Sequence, residues 1–60
     1  MPVITVEGTK LNKEQKSKLV KDLTTSAAKI MNVPEQAFVV LVKENDKENI
    51  GVGGQLLTDK

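Results

Sequence analysis

The stretch Phe-Val-Val-Leu-Val at residues 38–42 is apolar at odd and even positions alike. Side chains on a strand alternate between the two faces of a sheet, so a run of this kind asks for cover on both. The chain that contains it has only sixty residues. A domain of that size buries roughly 60% of the surface its unfolded form exposes, and small folds usually supplement their core with disulfides, a metal or further copies of themselves. With no Cys and no His in the sequence, bridges and ordinary zinc sites are excluded and association remains. Each large aliphatic side chain that becomes fully buried contributes about 1.5–3 kcal/mol. The expectation is therefore an obligate homo-oligomer.

The rest of the chain supplies one helix and little else to cover that run. Residues 3–7, Val-Ile-Thr-Val-Glu, are β-branched apart from the last and read as a first strand. Gly8 to Asn12 reads as a loop. Asn12 with Gln15 three residues on resembles a capping box and sets the helix start. From there Leu19, Val20, Leu23, Ala27, Ile30 and Met31 recur at the spacing of one helical face, with Lys16, Lys18, Lys21, Asp22 and Lys29 mainly on the other. Asn32 suits the left-handed residue that ends a helix, and Pro34 blocks its continuation. Residues 38–43 form the second strand, and 44–49, Glu-Asn-Asp-Lys-Glu-Asn, read as a polar turn or loop. Strand, helix and strand in this order call for a right-handed crossover and a parallel pair. The fold class is α/β: a β-α-β unit with a short C-terminal hairpin, one domain over residues 1–60.

Composition removes several function classes. Nine Lys against eight acidic residues gives a net charge of +1, with no basic block, no Arg and one aromatic, Phe38. Neither guanine readout nor a base-stacking platform can be assembled from these, so nucleic acid is not an expected partner. The longest apolar run is far short of the ~20 residues of a membrane span, and no signal-peptide pattern opens the chain. The expected location is cytoplasmic, with no membrane partner. The late Gly-Val-Gly-Gly at 51–54 lacks the Lys-Ser/Thr that would make it a phosphate loop, and reads as hairpin glycines with positive φ.

Chemistry has few places to arise. The hydroxyls of Thr5, Thr9, Ser17 and Ser26 have no histidine to activate them. Glu7, Glu44 and Glu48 lie among other charges near the ends of elements and read as solvated. Lys10 and Lys43 are the two cations placed where a concave site could use them, although a surface role fits each as well. Pro2 has two readings. Proline is tolerated at the first residue of a strand, where its missing N–H costs nothing. Alternatively, removal of Met1 leaves a secondary amine at the chain end. Amines there titrate at about 7.7–8.0, and burial against apolar side chains lowers that, which suits a general base at neutral pH.

The residues Met-Pro-Val-Ile-Thr-Val-Glu-Gly at the start, the helix sequence from Asn12 to Thr24, Val-Pro before the second strand, Val-Val-Leu-Val-Lys-Glu-Asn and Asn-Ile-Gly-Val-Gly-Gly resemble the 4-oxalocrotonate tautomerase family over essentially the whole length. The resemblance implies a β-α-β subunit assembling as a homohexamer, a trimer of dimers. It also implies an N-terminal proline that moves a proton on a 2-hydroxydienoate or other enol or keto acid without a cofactor. Pro2 carries over as the catalytic residue. The substrate-binding candidates are Lys10, Phe38, Val39 and Ile50. Lys10 is the candidate for the charge of a family arginine in the loop after the first strand. Val39 stands where a second family arginine is found, and Ile50 where the family has an aromatic. Lysine does not reproduce the bidentate fork of arginine, so the base carries over more directly than the substrate. A non-catalytic oligomeric scaffold of the same fold is the rival expectation. Hydration or dehalogenation of an unsaturated acid by a protonated proline is another. Because the strands are parallel, Lys10 and Lys43 are expected at the opposite end from Pro2, some ~20 Å away at about 3.3 Å per residue. Lys10 is then expected to reach a Pro2 site only from a neighbouring subunit.

Overall fold

The computed structural model describes residues 1–59. Strand β1 (Val3–Gly8) leads through a short loop to helix α1 (Lys13–Met31), and a 3-10 turn at Glu35–Ala37 precedes strand β2 (Val39–Glu44). After a second 3-10 turn at Lys47–Asn49, β3 (Gly51–Val52) and β4 (Gln55–Leu56) make a small hairpin, and a last 3-10 turn covers Leu57–Asp59. β1 and β2 pair in parallel, from Val3 opposite Val39 to Gly8 opposite Glu44.

Local chemistry sets the helix ends as expected. The Asn12 side chain accepts from the Gln15 amide at 2.8 Å, and the Gln15 side chain accepts from the Asn12 amide at 3.0 Å. This reciprocal box satisfies two donors that the first turn would leave without partners. At the other end Asn32 takes φ 57° and ψ 47° and donates its N–H to the carbonyl of Ala28. In the hairpin Gly53 and Gly54 have φ of 62° and 85°, the two consecutive positive values of a type I′ turn. Gly51 needs no such freedom and pairs with Leu56.

Three boundaries differ from expectation for physical reasons. β1 runs one residue further than Glu7, because Gly8 still pairs with Glu44 of the neighbouring strand. Phe38 is not the first residue of β2. Its N–H donates to the Glu35 carbonyl at 3.1 Å, closing the 3-10 turn, so ladder pairing starts one residue later. The stretch 44–49 differs only at its first residue, since β2 runs through Glu44, while Lys47–Asn49 coil into a turn as expected.

The half-buried positions Ile4, Val6, Val40 and Val42 lie on one face of the sheet, matched by Leu19, Val20, Leu23, Ala27 and Ala28 of α1. Ile30 and Met31, expected on that same helical face, are 80% and 54% exposed. A helix of 19 residues is about 28 Å long, whereas a six-residue strand reaches only about 20 Å, so the last turn of α1 overhangs the sheet. On the opposite sheet face Val3 and Leu41 are 56% and 46% exposed. Among the described residues none is fully buried.

The chain is accordingly larger than a self-sufficient globule of its length. Its radius of gyration is 14.6 Å, against about 10.4 Å expected for sixty residues. Its accessible surface is 4887 Å², against about 3,800 Å² for a folded monomer of this mass. The doubly apolar strand thus has one face covered by the helix and one left open.

Candidate active site

The parallel pair has two ends of different chemistry. At the end where the strands begin, the Val39 amide donates to the Pro2 carbonyl at 3.0 Å, which continues the ladder one step beyond β1 and fixes Pro2 beside Phe38. Pro2, Phe38 and Val39 are each half-buried. Met1 projects into solvent, 90% exposed. While Met1 is attached the Pro2 nitrogen is an amide and has no basicity. Once freed, that nitrogen would be a secondary amine at the strand end that carries Phe38 and Val39.

At the end where the strands finish, polar groups close on one another. The Asn45 amide donates to the Gly8 carbonyl at 2.8 Å. The two carboxylate oxygens of Glu44 take different partners: Oε2 accepts from the Leu11 amide at 2.8 Å, and Oε1 from the Lys16 ammonium at 3.3 Å. The Leu11 bond is the largest influence holding the Glu44 carboxyl below its ordinary range, followed by Lys16, with a smaller pull from Lys10. Lys10 therefore belongs to this end. Ile50 does too: it lines an open groove of about 430 Å³ with Glu7, Gly8, Asn45, Asn49 and Gly51.

The five residues singled out in the sequence therefore fall into two sets. Pro2, Phe38 and Val39 come together, whereas Lys10 and Ile50 share the far end, with the length of β1 between the sets. At about 3.3 Å per residue that length is ~16 Å from Val3 to Gly8, so one chain does not unite them. Among the described residues no three acidic side chains gather as a metal site would require. The role of Glu44 as a tie is not visible in the sequence, because Leu11 and Lys16 are 33 and 28 residues away from it.

The family model described as "Tautomerase enzyme" matches residues 2–60. The chain belongs to the tautomerase family. Three solved structures lie close to it over nearly the full length. DmpI from Archaeoglobus fulgidus is 41% identical with a TM-score of 0.90, covering 97% of this chain and 100% of that one. An unfused 4-OT in its apo form is 31% identical with a TM-score of 0.92, all of both chains being covered. YwhB, a homologue of 4-oxalocrotonate tautomerase, is 30% identical with a TM-score of 0.92 and 98% coverage of each. No curated protein matches the sequence significantly. The β-α-β architecture with its parallel pair and C-terminal hairpin is the fold of these tautomerase relatives. Among the described residues no helix is long and apolar enough to cross a membrane.

Proposed function

We propose that this tautomerase family member is a cofactor-independent isomerase that shifts a proton on an enol, 2-hydroxydienoate or keto acid, with Pro2 as general base once Met1 has been removed. The observation that carries this reading is the placement of Pro2 beside Phe38 and Val39 at the open apolar end of the parallel pair. Apolar surroundings disfavour the charged amine and bring its titration toward or below neutrality, where a base is most effective. Phe38 and Val39 form the wall of the site. Lys10 and Ile50 complete it from a neighbouring subunit lying antiparallel, Lys10 holding a carboxylate or enolate oxygen of the substrate. The open sheet face bearing Val3 and Leu41 supports an assembly that brings the two ends together, and a homohexamer built from dimers fits it. The whole chain acts as one domain, located in the cytoplasm.

The test has two parts. Intact mass should show loss of the Met1 residue. The purified protein should then ketonise 2-hydroxymuconate or phenylenolpyruvate, and a chain that retains Met1 should not. Absence of turnover with every enol, together with an ordinary amine titration, would reject the reading. Val39 and Ile50, standing where relatives of the best-known type have an arginine and an aromatic, favour a second reading as a non-catalytic scaffold. Proline-dependent hydration or dehalogenation of an unsaturated acid is the third, distinguished by a Pro2 amine that stays protonated at neutral pH.

A further inference from the structure

The loop between β1 and α1 is held at both sides by consecutive residues at the end of β2. Gly8, before the loop, accepts from the Asn45 amide at 2.8 Å, and Leu11, after it, donates to Glu44 Oε2 at 2.8 Å. Immediately beyond Leu11 the capping box of Asn12 and Gln15 begins the helix. Only Thr9 and Lys10 lie between the two anchors, and both are exposed. Among the described residues Lys10 makes no ion pair, while the Glu44 carboxylate that could have taken it is occupied by Leu11 and Lys16. A carboxylate beside a free ammonium would ordinarily neutralise it. Here Glu44 bonds the Leu11 amide and the Lys16 ammonium and feels Lys10 only through space, so the Lys10 ammonium keeps its donors for an outside anion.

We propose that Glu44 is a positioning residue for Lys10: by binding the Leu11 amide it fixes the Lys10–Leu11 peptide and presents the Lys10 ammonium to the carboxylate of an unsaturated dicarboxylate substrate. The inference rests on the reading of Lys10 as the substrate-binding cation, and it is independent of whether Pro2 acts as the base. Its sign separates it from simple electrostatics. If Glu44 acted only as a negative charge near the site, removing it would tighten anion binding. If it acts by holding the loop, removing its acceptor oxygen weakens anion binding despite the more favourable charge.

The probe is cis,cis-muconate, a dicarboxylate that lacks the enol and cannot tautomerise, with affinity measured by calorimetry on the full assembled protein. Replacing Lys10 by Met should raise Kd about 10-fold, the scale of one lost charge-assisted hydrogen bond. Glu44→Ala should raise it about 5-fold, and the double variant should be no weaker than Lys10→Met alone, since the two changes remove one interaction. Glu44→Gln, which keeps an acceptor for the Leu11 amide, should restore affinity to within about twofold of the parent. Lys16→Met, which breaks the ion pair and leaves the amide bond, should stay within about twofold as well. Should Glu44→Ala fail to assemble, Glu44→Asp, withdrawn by one methylene, takes its place with the same expected weakening. Unchanged or tighter binding in Glu44→Ala or Glu44→Asp, losses that add to that of Lys10→Met, or no binding of muconate by the parent would each overturn the proposal. A protein that turns over no enol and titrates an ordinary amine but shows the expected affinity pattern would reject the Pro2 reading and leave this one standing.

Discussion

The two ends of the parallel pair are built to different degrees of completion. Where the strands finish, Gly8, Leu11, Lys16, Glu44 and Asn45 satisfy one another within a single chain through amide, carboxylate and ammonium bonds. Where the strands begin, the backbone bonds outside the ladder are one onto Pro2 and two within the turn, from Ala37 to Pro34 and from Phe38 to Glu35. Around that end Met1, Val3, Ile30 and Met31 remain exposed. The end where the strands finish is tied by local hydrogen bonding, although Val52 and Leu56 of the adjoining hairpin stay exposed, whereas the end where they begin has few such ties. In the proposed assembly stability and chemistry depend on the same event, since an association that covers the apolar face would also bring Lys10 and Ile50 of one chain toward Pro2 of another.

The contrast is broken most severely at Pro2. Replacing it by Ala leaves a primary amine of different basicity and shape, and kcat for enol ketonisation should fall on the order of 100-fold, the lower range of a positioned general base. Assembly and muconate affinity should be kept, because the Pro2 carbonyl rather than its ring takes the ladder bond from Val39. Next in size is the open sheet face. Leu41→Asp places a charge on the face proposed as the interface and should forfeit about 1.5–3 kcal/mol per copy. Sedimentation should then show smaller species at concentrations where the parent is assembled, and activity should disappear with the assembly.

Smaller effects sharpen the other side of the comparison. Asn12→Ala removes the cap that accepts from the Gln15 amide and should lower stability by about 1 kcal/mol in chemical unfolding, with little change in oligomeric state. Smallest is the acid dependence from Glu44. Its carboxyl is held below the ordinary range when folded, first by the Leu11 amide and then by Lys16. The stability it contributes is therefore fully present above the unfolded carboxyl's value of about 4.3 and is lost as pH falls through the lower folded value. Thermal midpoints from pH 6 to 3 should decline for the parent, with a shallower slope for Glu44→Gln.

What could be read from the sequence follows the range over which each feature is decided. The caps at Asn12 and Asn32, the glycine turn at Gly53 and Gly54 and the parallel strand order depend on neighbours a few residues apart or on connection length. They were legible for that reason. The exposure of Ile30 and Met31 was not, because it depends on helix length compared with strand length, which periodicity alone does not weigh. Phe38 left the strand because a local turn claimed its amide. At the candidate site, the separation of Lys10 from Pro2 followed from parallel pairing. The tie from Glu44 to Leu11 did not follow from any local pattern, since it joins residues 33 apart.

Whether the two ends meet between chains is measured most directly by mixing subunits. Pro2→Ala and Lys10→Met proteins, each impaired alone, are unfolded together, refolded as a mixture and assayed for enol ketonisation. If Pro2 and Lys10 of different chains share a site, random association leaves roughly a quarter of sites with both residues intact, and activity should recover to that fraction of the parent's. A refolded mixture that assembles fully but is no more active than the average of its two components would contradict a shared site.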